Sequence, residues 1–149
     1  MRDNFLKGLF ELAKKDKDIF LITGDLGFKI FDKYIEHFSD RFLNVGVAEQ
    51  NMIGVATGLS SEGHNVVTTT FSPFQTLRCL EQIKVNLGYM QHKVSMVGLA
   101  SGLVLGPLGF THCSIEDIGA LRSIPNLNIV CPCDSLETVK AVSAMIKNK

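Results

Sequence analysis

Residues 41–59 read RFLNVGVAEQNMIGVATGL, and they set one ionisable residue, Glu49, where an apolar strand should turn into an apolar helix. Before it, Phe42, Leu43, Asn44 and Val45 read as a short buried strand. After it, Met52, Ile53, Val55, Ala56 and Leu59 recur at helical spacing, and Gly54 and Gly58 are expected to allow close backbone approach. A carboxyl group at such a junction is poorly solvated and can share a proton with a buried base. A first-turn glutamate also favours a helix N-terminus through the macrodipole alone. The residue pattern leaves these two readings level.

Outward from this junction, strand and helix signals alternate. Apolar periodicity predicts helices over 4–15, 30–38, 49–61 and 74–87, a short helix over 114–121, and a last helix opening at Asp134. Short apolar or β-branched runs at 19–23, 42–45, 66–70, 94–99 and 127–130 predict strands. Ser114 and Asp117 stand in capping-box-like spacing, as do Asp134 and Glu137. Nearly continuous apolar strands alternating with helices imply a three-layer α/β/α domain with a mostly parallel sheet. In such folds ligands sit at the carboxyl ends of the strands. Gly24-Asp25, Val47-Ala48-Glu49, Phe71 and the Gly-rich loop at 100–111 all fall there.

The bulk composition excludes several classes. At 149 residues the chain has room for one domain, taken as 1–149. Its formal net charge is zero, so no basic stripe marks a nucleic-acid partner. Apolar runs are strand-length, which argues against a membrane span, and the charged start MRDNFLKGLFELAKKDKD has no signal-peptide core. Cys79, Cys113, Cys131 and Cys133 form no C-x-x-C pair, so they read as reduced thiols of a cytoplasmic protein with no metal site. No G-x-G-x-x-G or P-loop fingerprint supports a simple nucleotide-binding domain. His37, His64 and His92 lie in ordinary turn or helix-end contexts and receive no role.

Four stretches, in order, carry a resemblance: ITGDLG (22–27), NVGVAEQNMIGVATGL (44–59), TTTFSPFQTLRCLEQI (68–83) and GFTHCSIEDIGALRSIPNLNIVCPCD (109–134). Together they resemble the pyrimidine-binding domain of transketolase-like thiamine diphosphate enzymes, over nearly the whole chain. The resemblance implies the thiamine diphosphate-binding fold. It makes Glu49 the carboxyl that hydrogen-bonds the cofactor's far pyrimidine nitrogen, which lets the cofactor's own amino group act as the base. It puts Phe71 and Phe74 on the walls of the pyrimidine slot, with Leu77 where transketolases often carry an aromatic. It sets Asp25 beside the positive thiazolium ring, and it makes His112 a substrate-facing histidine.

Departures from that pattern matter equally. Leu108 stands where transketolases carry an acidic residue, Ala100 where they carry a phosphosugar-binding histidine, and Lys29 where a serine meets substrate phosphate. Lost hydrogen-bond partners cost specificity for the hydroxyls they served, so a non-standard sugar or oxo-acid donor is expected, among sugar phosphates or related ketose or oxo-acid substrates. No Gly-Asp-Gly segment followed by Asn is present to hold magnesium and diphosphate. By resemblance, the Mg2+ is held by a partner subunit with the diphosphate-binding domain, in a homo-dimer or hetero-oligomer sharing thiamine diphosphate, and this chain, truncated after its pyrimidine domain, is inert alone. The expected activity is transfer of a two-carbon ketol unit between sugars by a split transketolase-like enzyme. The alternatives are the β subunit of a 2-oxo acid dehydrogenase and a non-catalytic assembly domain.

Overall fold

The computed structural model describes residues 1–27 and 29–147. Four parallel strands, β1 (Ile19–Thr23), β2 (Phe42–Asn44), β3 (Asn65–Phe71) and β4 (Val94–Leu99), form one sheet in the order β2-β1-β3-β4. The register places Leu21 against Val67 and Phe20 against Val66, so alternate residues of neighbouring strands supply opposite faces. On one face Ile19, Leu21 and Val67 pack under α1 (Arg2–Ala13), α2 (Asp32–Phe38) and α7 (Ser135–Lys147), through Phe5, Leu9, Tyr34, Val142 and Ile146. On the other, Ile22 and Val66 meet Met52 and Ala56 of α3 (Glu49–Ser61). This is the three-layer α/β/α arrangement with a parallel sheet. Met52 and Ile53 are fully buried, each worth about 1.5–3 kcal/mol over exposure.

Local chemistry ends the elements where the fold needs them ended. The guanidinium of Arg41 donates to the carbonyls of Ala13 and Asp16 at the end of α1, supplying partners the helix itself lacks there. Asp134 caps α7, its carboxylate accepting the Glu137 N–H at 2.8 Å, and Glu137 accepts the Cys133 N–H in return.

Four expectations are corrected. The helix expected over 74–87 begins earlier, as α4 (Ser72–Gln75), and breaks at Thr76. It passes through a 3-10 turn at Leu77–Cys79 into α5 (Leu80–Gln82), which widens into a π-helix over Ile83–Tyr89. The break has a cause in competing bonds: Thr76 turns its hydroxyl back onto the Ser72 carbonyl at 2.7 Å, and Gln75 turns inward to donate to Thr68 at 2.6 Å. At the π-helix, a Cβ on Gly88 would stand 2.5 Å from Ile124, so the widened turn rides directly on that side chain.

The run at 127–130 joins no strand. Leu127 packs against the cluster of Ile53, Cys79, Ile83 and Leu121, while Val130 is 67% exposed. An apolar run with one side uncovered has no second face to bury, and Pro125 and Pro132 bracket it without N–H groups for a ladder. Gly54 and Gly58 face open space, since a Cβ on either meets nothing within 4 Å, so no close approach in this chain explains them. Finally, the short helix α6 spans Asp117–Leu121 and Ser114 does not cap it; Ser114 instead pairs with Gly102 across an antiparallel bridge.

Candidate active site

The carboxyl ends of β1, β2 and β3 converge on Glu49. The Asn44 side chain, at the end of β2, accepts the Gly46 N–H at 2.9 Å and the Asp25 N–H at 3.1 Å, tying the β1 and β2 exits together. Gly46 (φ +73°) turns the chain, and Ala48 then opens α3 so that Glu49 is its first residue. Glu49 is 2% exposed. It fits there because Gly24 has no side chain: a Cβ at Gly24 would stand 3.0 Å from Glu49 Cγ.

The buried carboxylate is compensated. Arg78 Nη1 donates to Glu49 Oε2 at 2.6 Å, and the Arg78 side chain remains 39% exposed. The same guanidinium lies 4.0 Å from the centroid of the Phe74 ring, a cation–π contact. Its main chain is anchored separately, with Gln50 Nε2 donating to the Arg78 carbonyl at 2.9 Å. Cys79, the next residue, has its thiol pushed up to about 12 by burial, reinforced by the Glu49 charge and opposed by Arg78. It stays a thiol at neutral pH and offers no nucleophile.

Phe71 ends β3 and Phe74 sits in α4, their rings edge to face at 6.2 Å. His112, on the Gly-rich loop, completes an aromatic trio, 5.1 Å from Phe74 and 6.1 Å from Phe71. Thr111 Oγ1 lies 3.1 Å from His112 Nδ1 and fixes one ring nitrogen. Glu49, Arg78, Phe74, His112 and Phe71 thus form one unbroken chain of contacts. Asp25 stands beside it, exposed, in a left-handed conformation (φ +46°), next to the Gly24 that abuts Glu49. It caps no helix, since α2 starts at Asp32. Leu77 is exposed on the rim of a shallow pocket of about 220 Å³ with Phe74, Arg78, Phe110 and Glu116.

Two residues of this region are hard to single out from sequence. Arg78 is one cation in an apolar helical run, and Asp117 has the spacing of a cap. In the structure Asp117 is 7% exposed and its Oδ2 accepts from Ser72 at 2.6 Å and from Ser101 at 2.5 Å. Oδ1 accepts the Ile118 N–H. Burial works to raise its proton affinity, but the Ser101 and Ser72 hydroxyls and that N–H outweigh burial and hold it below its ordinary value. Asp117 thereby joins the residue after Phe71 to the start of the loop that carries His112. An acid three residues after a serine, with further serines upstream, is the only trace of this in the sequence.

The residues present suit the pyrimidine half of thiamine diphosphate: a buried carboxyl in a cradle that a Cβ at Gly24 would fill, beside two aromatic rings. Among the described residues no group of three His, Cys, Asp or Glu side chains is placed to hold an ion.

The sequence matches the family model "Transketolase, pyrimidine binding domain" over residues 1–149. It is 38% identical over 146 residues to one subunit of an apulose-4-phosphate transketolase of Phocaeicola vulgatus, covering 97% of this chain and 47% of that protein. It is 35% identical over 138 residues to SqwH, a 6-deoxy-6-sulfo-D-fructose transketolase subunit of a Clostridium species, covering 92% and 43%. Among solved structures, a split-gene transketolase described as an inactive β4 tetramer superposes with a TM-score of 0.87 at 31% identity, covering 98% of this chain and 46% of that one. The chain spans less than half the length of each of these three relatives.

Proposed function

The chain belongs to the transketolase pyrimidine-binding domain family, and from that premise we propose that it is the pyrimidine-binding domain, residues 1–149, of a split transketolase-like enzyme. Its partner is a second polypeptide with the diphosphate-binding domain, which holds Mg2+ and the diphosphate. The activity is transfer of a two-carbon ketol unit between sugars. The observation that carries this reading is Glu49: a 2% exposed carboxyl at a strand–helix junction, in one contact chain with Phe71, Phe74 and His112.

Thiamine diphosphate, when bound, supplies the reactive carbon that takes up the ketol unit. The chain's own residues bind and orient. Glu49 would hold a hydrogen bond to the ring nitrogen remote from that carbon, in a place shielded from water. Phe71 and Phe74 fix the plane of the ring. Asp25 would add negative charge beside the positive ring, and His112 would donate to or accept from substrate oxygen. On the same loop Leu103, Val104 and Phe110, and just past it Ile115, are each at least 67% exposed, an apolar surface that suits a covering subunit.

The donor in this proposal is a non-standard sugar. Leu108 and Ala100 carry no polar side-chain group, so neither offers a hydrogen bond to a ketose phosphate. The two relatives named for unusual sugars, one a phosphate and one a sulfonate, agree with this.

The test is to co-express the full protein with its diphosphate-domain subunit, measure thiamine diphosphate binding calorimetrically, and assay ketol transfer from a panel of ketoses. Glu49→Ala is expected to abolish transfer and weaken cofactor binding. Undiminished transfer by that variant would overturn the role of Glu49, and wild-type turnover of xylulose 5-phosphate at ordinary rates would overturn the non-standard donor.

A further inference from the structure

We infer that Arg78 competes with the cofactor's pyrimidine ring for the slot: its guanidinium takes both contacts that such a ring needs, and cofactor affinity is set by the exchange. The inference rests on the proposed role of Glu49 and Phe74. The guanidinium is planar, carries N–H groups in its plane and a π face above it, and is therefore the closest side-chain mimic of an aminopyrimidine. It donates to Glu49 Oε2 at 2.6 Å and stacks 4.0 Å from the Phe74 centroid. Those are one in-plane hydrogen bond to the carboxyl and one face on the aromatic wall.

The geometry also provides for departure. The Arg78 side chain is 39% exposed, so solvent receives it when it leaves. Its backbone is pinned by Gln50 and stays in place, which makes the exchange a side-chain rotation with no refolding of the turn at Leu77–Cys79. Among the described residues Arg78 is the cation paired with the 2% exposed Glu49 carboxylate, and buried charges do not tolerate well the loss of such a partner. Arg78 thus balances the buried carboxylate and competes with the ring for it.

Removing the competitor should tighten binding, which sets this role apart from a merely structural one. In the protein assembled with its diphosphate-domain subunit, Arg78→Met is expected to bind thiamine diphosphate about ten-fold more tightly, a charge-assisted hydrogen bond no longer having to be broken. The same variant should melt lower than wild type without cofactor and recover when saturated with it. Arg78→Lys, which keeps the charge but not the planar stack, should fall between the two and serves where Arg78→Met does not fold. Equal or weaker binding by these variants would overturn the inference, showing that Arg78 supports the bound ring. Glu49→Gln and Phe74→Ala separate the two levels: if neither weakens cofactor binding, the slot itself is misassigned, whatever Arg78 does.

Discussion

Replacing Gly24 with alanine probes the cradle of Glu49 by one methyl group. The backbone at Gly24 needs no glycine-only conformation, so the added Cβ acts through space alone, 3.0 Å from Glu49 Cγ and 3.6 Å from Cδ. The glutamate must yield by a few tenths of an ångström, and its carboxyl is held at the far end by Arg78. Overpacking of a filled interior costs about 1–3 kcal/mol. At about 2–4 °C per kcal/mol for a domain of this size, the melting temperature should fall by roughly 2–12 °C. The shifted carboxyl should also weaken cofactor binding in the assembled enzyme several-fold. Differential scanning fluorimetry on Gly24→Ala, Glu49→Ala and the double variant completes a cycle in which the Gly24 substitution should cost almost nothing once Cγ is gone. Equal cost in both backgrounds would refute the steric reasoning, and unchanged melting and cofactor affinity in Gly24→Ala would refute the close approach altogether.

Gly54 makes the opposite case: its missing side chain serves no contact in this chain, so Gly54→Ala should stabilise α3 by about 0.5–1 kcal/mol, seen as a rise in melting temperature. Asp117→Asn should alter the acid limb of stability. The native carboxyl sits below its ordinary 3.8, so its stabilisation is complete above that pH and is lost as pH falls through the native value. Melting curves taken from about pH 5 down to about pH 3 should therefore decline less steeply for the variant than for wild type, and parallel declines would count against the hydroxyl cluster as the cause.

The alternation of strand and helix, the parallel sheet and the position of Glu49 were legible because each rests on local periodicity or on one charge among apolar neighbours. The failures share a physical origin in tertiary contacts. Nothing in PNLNIV says whether a neighbouring strand exists to pair with it, and Val130 is left in solvent. Ser114 and Asp117 have the spacing of a cap, but two serines distant in sequence, Ser72 and Ser101, take the carboxylate instead. Arg78 and Glu49 are 29 residues apart, so their pairing depends on how α3 packs beside the turn after β3, which spacing alone does not disclose. The break at Thr76 is likewise made by buried side-chain bonds where propensity would continue a helix.

Asp117 seals the Gly-rich loop at its base, through Ser101 at one end and next to Ser114 at the other. The span between Leu103 and Gly109 therefore hangs outside the frame that fixes Glu49 and the two phenylalanines. The tip can therefore be lengthened, shortened or rewritten without disturbing that frame. Loop grafts between relatives, cut at the two serines, should transplant as interchangeable parts.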